Sequence, residues 1–148
     1  MKREFSAGGL VVRRFRGRPF LCVVRVRNRR IREAGKPSEL LALPKGHPDG
    51  KESAVEAAAR EVREETGLEA EPVEKLGDIR YWYVWDGERV MKIVSFFLFR
   101  YRSGSVRDHY QEVEGAEWIP LEDAPKRLAY KGEKQMAAAA LSSLNADR

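Results

Sequence analysis

Residues 46–68 read GHPDGKESAVEAAAREVREETGL, and this stretch decides the fold. Ser53 followed three residues later by Glu56 is a capping box, and Gly67 supplies a left-handed stop, so a helix is predicted over Ser53–Thr66. At about 100° per residue, Val55, Ala58, Ala59 and Val62 fall on one side as a core stripe. Glu61, Glu64 and Glu65 stand at about 0°, −60° and +40° on a different face, with Ala57 one turn earlier leaving open space beside them. Three carboxylates there are unfavourable. Like charges at i, i+3 and i+4 repel, and anions in a last helical turn oppose the helix dipole. A hard divalent cation shared with substrate phosphates resolves the conflict. The competing reading is a solvated face stitched by Glu–Arg pairs such as Glu56 with Arg60.

Working outward, Glu4–Arg14 and Phe20–Val26 read as strands about a turn at Gly17-Arg18-Pro19. The polar stretch Arg27–Glu39, with Gly35 and Pro37, reads as an exposed loop. Leu40–Leu43 is a short strand stopped by Pro44. Beyond the helix, Val73–Trp85 and Glu88–Arg102 are long strands joined at Asp86-Gly87, a hairpin signal. Ser103–Gly115 reads as a loop and Glu117–Pro120 as a last strand. Helical pieces follow at Leu121–Ala129 and Glu133–Leu144, the second with Met136, Ala140, Leu141 and Leu144 on one face. The expected class is α/β (α+β), a mixed β-sheet sandwiched between helices. A length of 148 residues predicts a single domain over 1–148.

The loop before the helix adds chemistry. Its glycines and prolines can hold a backbone carbonyl, Glu52 and Lys45 near the acidic face. Gly46, Glu52, Arg60, Glu61, Val62, Glu64, Glu65, Gly67 and Leu68 together fit G-x5-E-x7-R-E-U-x-E-E-x-G-U, where U is a bulky aliphatic residue. This resembles the signature of the Nudix hydrolases, with every defined position filled across 46–68. The resemblance implies metal-dependent hydrolysis of a phosphoanhydride bond in a nucleoside diphosphate linked to another moiety. It makes Glu61, Glu64 and Glu65 the metal-facing carboxylates, with Lys45 adding its main-chain carbonyl. Glu52 and Arg60 would form a supporting pair that orients them. A further carboxylate is expected from the loop before Trp118, with Glu112 as candidate and Glu114 as alternative. The implied cofactor is Mg²⁺, with Mn²⁺ as substitute, and Glu61 is favoured as base or metal ligand.

Leu43-Pro44-Lys45-Gly46-His47 resembles the branch of that family acting on dinucleoside polyphosphates such as diadenosine tetra- and hexaphosphate. Lys45 would meet an extra phosphate. Charge supports an anionic partner: residues 1–36 hold 12 Lys+Arg against 2 Asp+Glu, net +10. Arg25, Arg27, Arg29, Arg30, Arg32 and Lys36 could extend a polyphosphate track. The departure is that Leu40 and Leu41 stand where that branch often carries an aromatic residue before the proline. Tyr81, Tyr83 and Trp85 share a strand face, and Tyr83 with Tyr130 are candidates to stack on a base. His47 and His109 could flank the phosphates, against the alternative of ordinary loop histidines. The alternatives are a nucleoside triphosphate pyrophosphohydrolase that sanitises the nucleotide pool, an RNA 5′-pyrophosphohydrolase, and a non-catalytic nucleotide or nucleic-acid binding module. The last has no need of all three glutamates. No apolar run reaches bilayer length and no secretory leader is read at the N-terminus, so no membrane partner and a cytoplasmic location are expected. Cys22, the lone cysteine, lies in the apolar run Phe20–Val24 and reads as a buried thiol. Oligomeric state stays open.

Overall fold

The computed structural model describes residues 1–33, 36–108 and 113–146, with side chains described outside 28–38. The strands are β1 (Lys2–Phe15), β2 (Arg18–Glu33), β3 (Lys36–Ala42), β4 (Lys45–Gly46), β5 (Leu68–Trp85), β6 (Glu88–Gly104) and β7 (Gly115–Pro120). The helices are α1 (Ala54–Thr66), α2 (Ala124–Arg127) and α3 (Lys131–Ala146). One sheet carries the path β3-β2-β1-β6-β5, with β4 on β1 and β7 on β2. The β1–β6 pair is parallel, while the other pairs are antiparallel. A mixed sheet between helices is the observed class.

Strand alternation sorts the core into two layers. Ala7, Val11, Cys22, Val24 and Phe99 pack with Ala57, Ala58 and Val62 of α1. Leu10, Leu21, Val23 and Phe96 pack on the other side with Leu128, Ala137 and Ala140. Cys22 is fully buried, and loss of hydration pushes its thiol up to about 12. It is a core residue.

The helix read from the sequence is present. Ser53 accepts from the Glu56 N–H, Glu56 accepts from the Ser53 N–H, and Gly67 takes the left-handed cap. The face needs correcting, because Ala57 is fully buried while Val55 and Ala59 are only partly so. Ala57 therefore leaves no open space beside the acids. It lets α1 lie close to the sheet.

The expected loop over Arg27–Glu39 is instead a pair of strands, with register running from Val24↔Ala42 to Glu33↔Lys36 and an irregularity between Asn28 and Arg32. Cross-strand backbone bonds hold this hairpin, and its polar sequence hides it from an apolar-pattern reading. The first turn is the two residues Arg16 and Gly17, both left-handed, so Arg18 and Pro19 already belong to β2. β5 starts at Leu68 and tolerates Pro72 through three shifts of register. Asp86-Gly87 forms the predicted hairpin turn. The stretch read as a loop from Ser103 contains a 3₁₀ turn at Val106–Asp108. Leu121–Ala129 is not one helix but a 3₁₀ turn, Leu121–Asp123, followed by the single α-turn of α2. Leu128 adopts an extended conformation and ends it.

Candidate active site

The site is built where β4 lies against α1. β4 pairs with Ala7 and Gly8 of β1, which brings the segment after Pro44 under the acidic face of the helix. A side chain at Gly46 would collide with the Glu61 carboxylate, so glycine is required by close approach rather than by its φ. The Lys45 N–H donates to Glu65 Oε1 at 3.1 Å and ties helix to strand.

Arg60 is the hub. Its Nε donates to Glu52 Oε2 at 2.9 Å and its terminal nitrogen to Glu52 Oε1 at 3.1 Å, a bidentate pair. The same guanidinium donates to Glu61 Oε1 at 2.9 Å, Glu64 Oε2 at 3.0 Å and the His47 carbonyl at 2.9 Å. Glu52 also accepts from the Asp49 N–H at 2.7 Å. One side chain thus links the loop to two of the three helix carboxylates. Glu56, the rival partner for Arg60, is used in the cap instead.

Electrostatics divides the acids. The Arg60 hydrogen bond holds Glu52 below its ordinary value, whereas burial raises Glu61 despite Arg60. Burial pushes Glu65 up to about 7, with the Lys45 N–H opposing it and Glu61 and Glu133 adding to it. Among the described residues, no three metal-type side chains converge ready-made. Arg60 bridges Glu61 and Glu64 where a cation would compete. The donor chemistry still fits a hard cation: oxygen ligands on one helix face, two of them, Glu61 and Glu65, partly withdrawn from water.

A proton-linked prediction follows for the metal-free protein. Glu65 has an unfolded value near 4.5 and a folded value of about 7, so the folded chain retains the proton between them. Stability should fall as pH rises through that window, by roughly 3 kcal/mol at most, and level off above it. Urea unfolding at stepped pH measures this. Glu65→Gln should flatten that slope and be the more stable form at pH 8.

Glu133 was missed by the sequence reading. It is 3% exposed on α3; its Oε1 accepts from the Leu43 N–H at 2.7 Å, and its Oε2 pairs with Lys45 Nζ at 2.7 Å. The available signal was an acid in register with Ala137 and Ala140 on a buried face. The Lys45 ammonium is therefore neutralised, and it also lies 5.5 Å from the Tyr130 ring. Glu133→Ala would leave the Leu43 N–H and the Lys45 charge without their partner. A loss of about 3 kcal/mol is expected, read as a lowered Tm.

Several other expected residues lie elsewhere. Arg25 pairs with Glu117 at 3.2 Å and Glu39 at 3.9 Å, and Arg27 with Glu114 at 3.3 Å. Both arginines thus have carboxylate partners at the sheet edge, and Glu114 is one of them. The side chains of Arg29, Arg30, Arg32 and Lys36, and all of His109 and Glu112, lie outside the described residues. His47 Nδ1 sits 3.0 Å from the Phe5 carbonyl and 3.3 Å from Ser6 Oγ. Tyr83 donates to Glu4 Oε2 at 2.6 Å. Tyr81, not Tyr83, joins Tyr130, Lys45 and Ile79 in lining a cleft of about 730 Å³.

Comparison with known proteins places this arrangement. The family model of the NUDIX domain matches residues 2–140. The chain belongs to the Nudix family. A putative mutator protein, MutT4 of Mycobacterium tuberculosis, is 41% identical over 137 residues, covering 93% of this chain and 54% of that protein. The asymmetrical bis(5′-nucleosyl)-tetraphosphatase of Mus musculus is 33% identical over 92 residues, covering 62% and 63%. The chain thus spans somewhat over half the length of these relatives. A NUDIX hydrolase from Nitrosomonas europaea superposes with a TM-score of 0.72 at 17% identity, covering 96% of this chain and 90% of that one. An Ap4A hydrolase of C. elegans in a binary complex superposes at 0.69 with 19% identity, covering 97% and 98%. These two show the Nudix fold. Among the described residues, no helix is long and apolar enough to cross a membrane.

Proposed function

We propose that this Nudix domain hydrolyses a phosphoanhydride bond in a nucleoside diphosphate-linked compound, with diadenosine polyphosphates as the best-fitting class. The carrying observation is the juxtaposition of the acidic helix face with an aromatic-walled cleft across β4. Glu61, Glu64 and Glu65, with the Lys45 carbonyl, would hold Mg²⁺ or Mn²⁺. The bound cation supplies charge neutralisation to the phosphates and a lowered pKa to water. Arg60, anchored by Glu52, orients the helix carboxylates. Glu61, whose burial raises its proton affinity, accepts the proton of the attacking water in this reading. Tyr81 and Tyr130 offer faces to a nucleobase, and both are near half exposed.

A second reading has its own support. Lys45 is paired with Glu133 instead of free for an extra phosphate, and the 41% identical relative is named as a putative mutator protein. Both favour a nucleoside triphosphate pyrophosphohydrolase. Chromatography of products separates the two. Diadenosine tetra-, penta- and hexaphosphate should show the higher kcat/KM, releasing a nucleoside triphosphate. EDTA should abolish turnover and Mg²⁺ or Mn²⁺ restore it. A higher kcat/KM on an ordinary or oxidised nucleoside triphosphate, with pyrophosphate released, selects the second reading. Turnover undiminished in EDTA would overturn both.

A further inference from the structure

The basic first quarter of the chain is only partly explained by the site above. Arg18, Arg25 and Arg27 each have a carboxylate partner. Arg13, Arg14 and Arg16, at the far end of β1, have none among the described residues, while Arg3 lies at the opposite end. β1 and β6 run paired only as far as Val12↔Arg100. Beyond that point, residues 13–15 pair with β2, and Tyr101, Ser103 and Gly104 pair with β5. The two strands part, and a groove of about 440 Å³ opens between them. It lies roughly 16 Å along β1 from Gly8, where β4 and the acidic face begin.

The groove combines two chemistries. The edges of Val12 and Leu98 form an apolar floor, and Val73 and Leu144 add walls, while Phe99 is buried beneath toward α1. Arg13, Arg14 and Arg100 line it, and no carboxylate residue does. Glu71 stands opposite Arg100 in register, but it is paired with Arg102. Arg13 is held flat by aromatic rings, 4.2 Å from the Phe15 centroid, 4.4 Å from Tyr101 and 5.6 Å from Trp118. Stacking fixes the plane of the guanidinium while its N–H edge has no hydrogen-bond acceptor among the described residues. Arg14 is steadied by donating to the Gly17 carbonyl at 3.0 Å. Guanidinium forks over an apolar floor match a ligand with phosphate oxygens at one end and a flat, weakly polar body at the other.

We propose that the groove between the parting ends of β1 and β6 is a second, non-catalytic binding site for a nucleotide. Its phosphates meet Arg14 and Arg100, with Arg13 at the rim on the α1 side, and its base lies against Val73 and Leu144 above the edges of Val12 and Leu98. This site is separate from the acidic face and does not depend on what that face hydrolyses.

The test titrates the full chain with a methylene-bridged, non-hydrolysable adenosine triphosphate analogue, followed by amide and indole NMR. Saturable shifts are expected at Val12–Arg14, Leu98–Tyr101 and the Trp118 indole. Combined Arg14→Gln and Arg100→Gln should weaken the affinity read from those resonances by at least roughly tenfold, since each removes a charge-assisted contact. kcat and KM should stay unchanged. Arg100→Gln alone, an exposed substitution, should give a smaller weakening in the same direction and guards against misfolding of the double variant. Inorganic tripolyphosphate should bind the groove more weakly than the analogue. Absence of saturable shifts at these positions, or an affinity unchanged in both variants, would overturn the proposal. Equal affinity for tripolyphosphate would overturn the assignment to a nucleotide. Because groove occupancy is read from its own resonances, failure here is distinguishable from failure of the hydrolase reading.

Discussion

Glu65→Gln is expected to lower kcat by about 10²–10⁴-fold while the fold persists. Glutamine keeps the shape of the side chain and can still accept from the Lys45 N–H, so β4 remains tied to α1. What it loses is the negative charge that a cation or a proton in transfer requires. Burial raises Glu65 to about 7 in the metal-free protein, with the Lys45 N–H opposing it. Glu61→Gln should fall in the same range, because Glu61 is partly withdrawn from water and lies against Gly46. Circular dichroism and Tm distinguish lost chemistry from lost structure. Wild-type turnover in Glu65→Gln would remove the carboxylate face from the mechanism.

Arg60→Ala should reduce kcat by about 10–100-fold and also lower Tm, a combination that a surface arginine would not produce. Its guanidinium holds Glu52, Glu61, Glu64 and the His47 carbonyl together. Removing it frees Glu61 and Glu64 to repel each other and releases the loop that carries Gly46 and Glu52. Arg60→Lys should recover little, because one ammonium cannot reproduce a bidentate fork to Glu52 and a second edge toward Glu61. Unchanged Tm and kcat in Arg60→Ala would reduce these contacts to surface charge. The rate effect should appear in kcat more than in KM, since Arg60 acts through the glutamates.

The sequence alone determined the parts of this protein that are written locally. The capping box at Ser53–Glu56, the left-handed stop at Gly67 and the Asp86-Gly87 turn depend on neighbours in the chain, and all three are present. The acidic face of α1 follows from helical geometry, and the Glu52–Arg60 pair spans only eight residues. Tertiary structure decided what depends on distant segments. Glu133 meets Leu43 across 90 residues: its register with Ala137 and Ala140 marks a buried face, but nothing local to α3 says that the carboxylate takes the Leu43 N–H and pairs with Lys45. The β2–β3 hairpin is held by backbone pairing, which a polar sequence does not advertise. Tyr81 and Tyr83 share a strand face by alternation, yet only Tyr81 reaches the cleft, because Glu4 of β1 takes the Tyr83 hydroxyl. Periodicity assigns a side chain to a face; only the packing of remote strands and helices decides what it meets there.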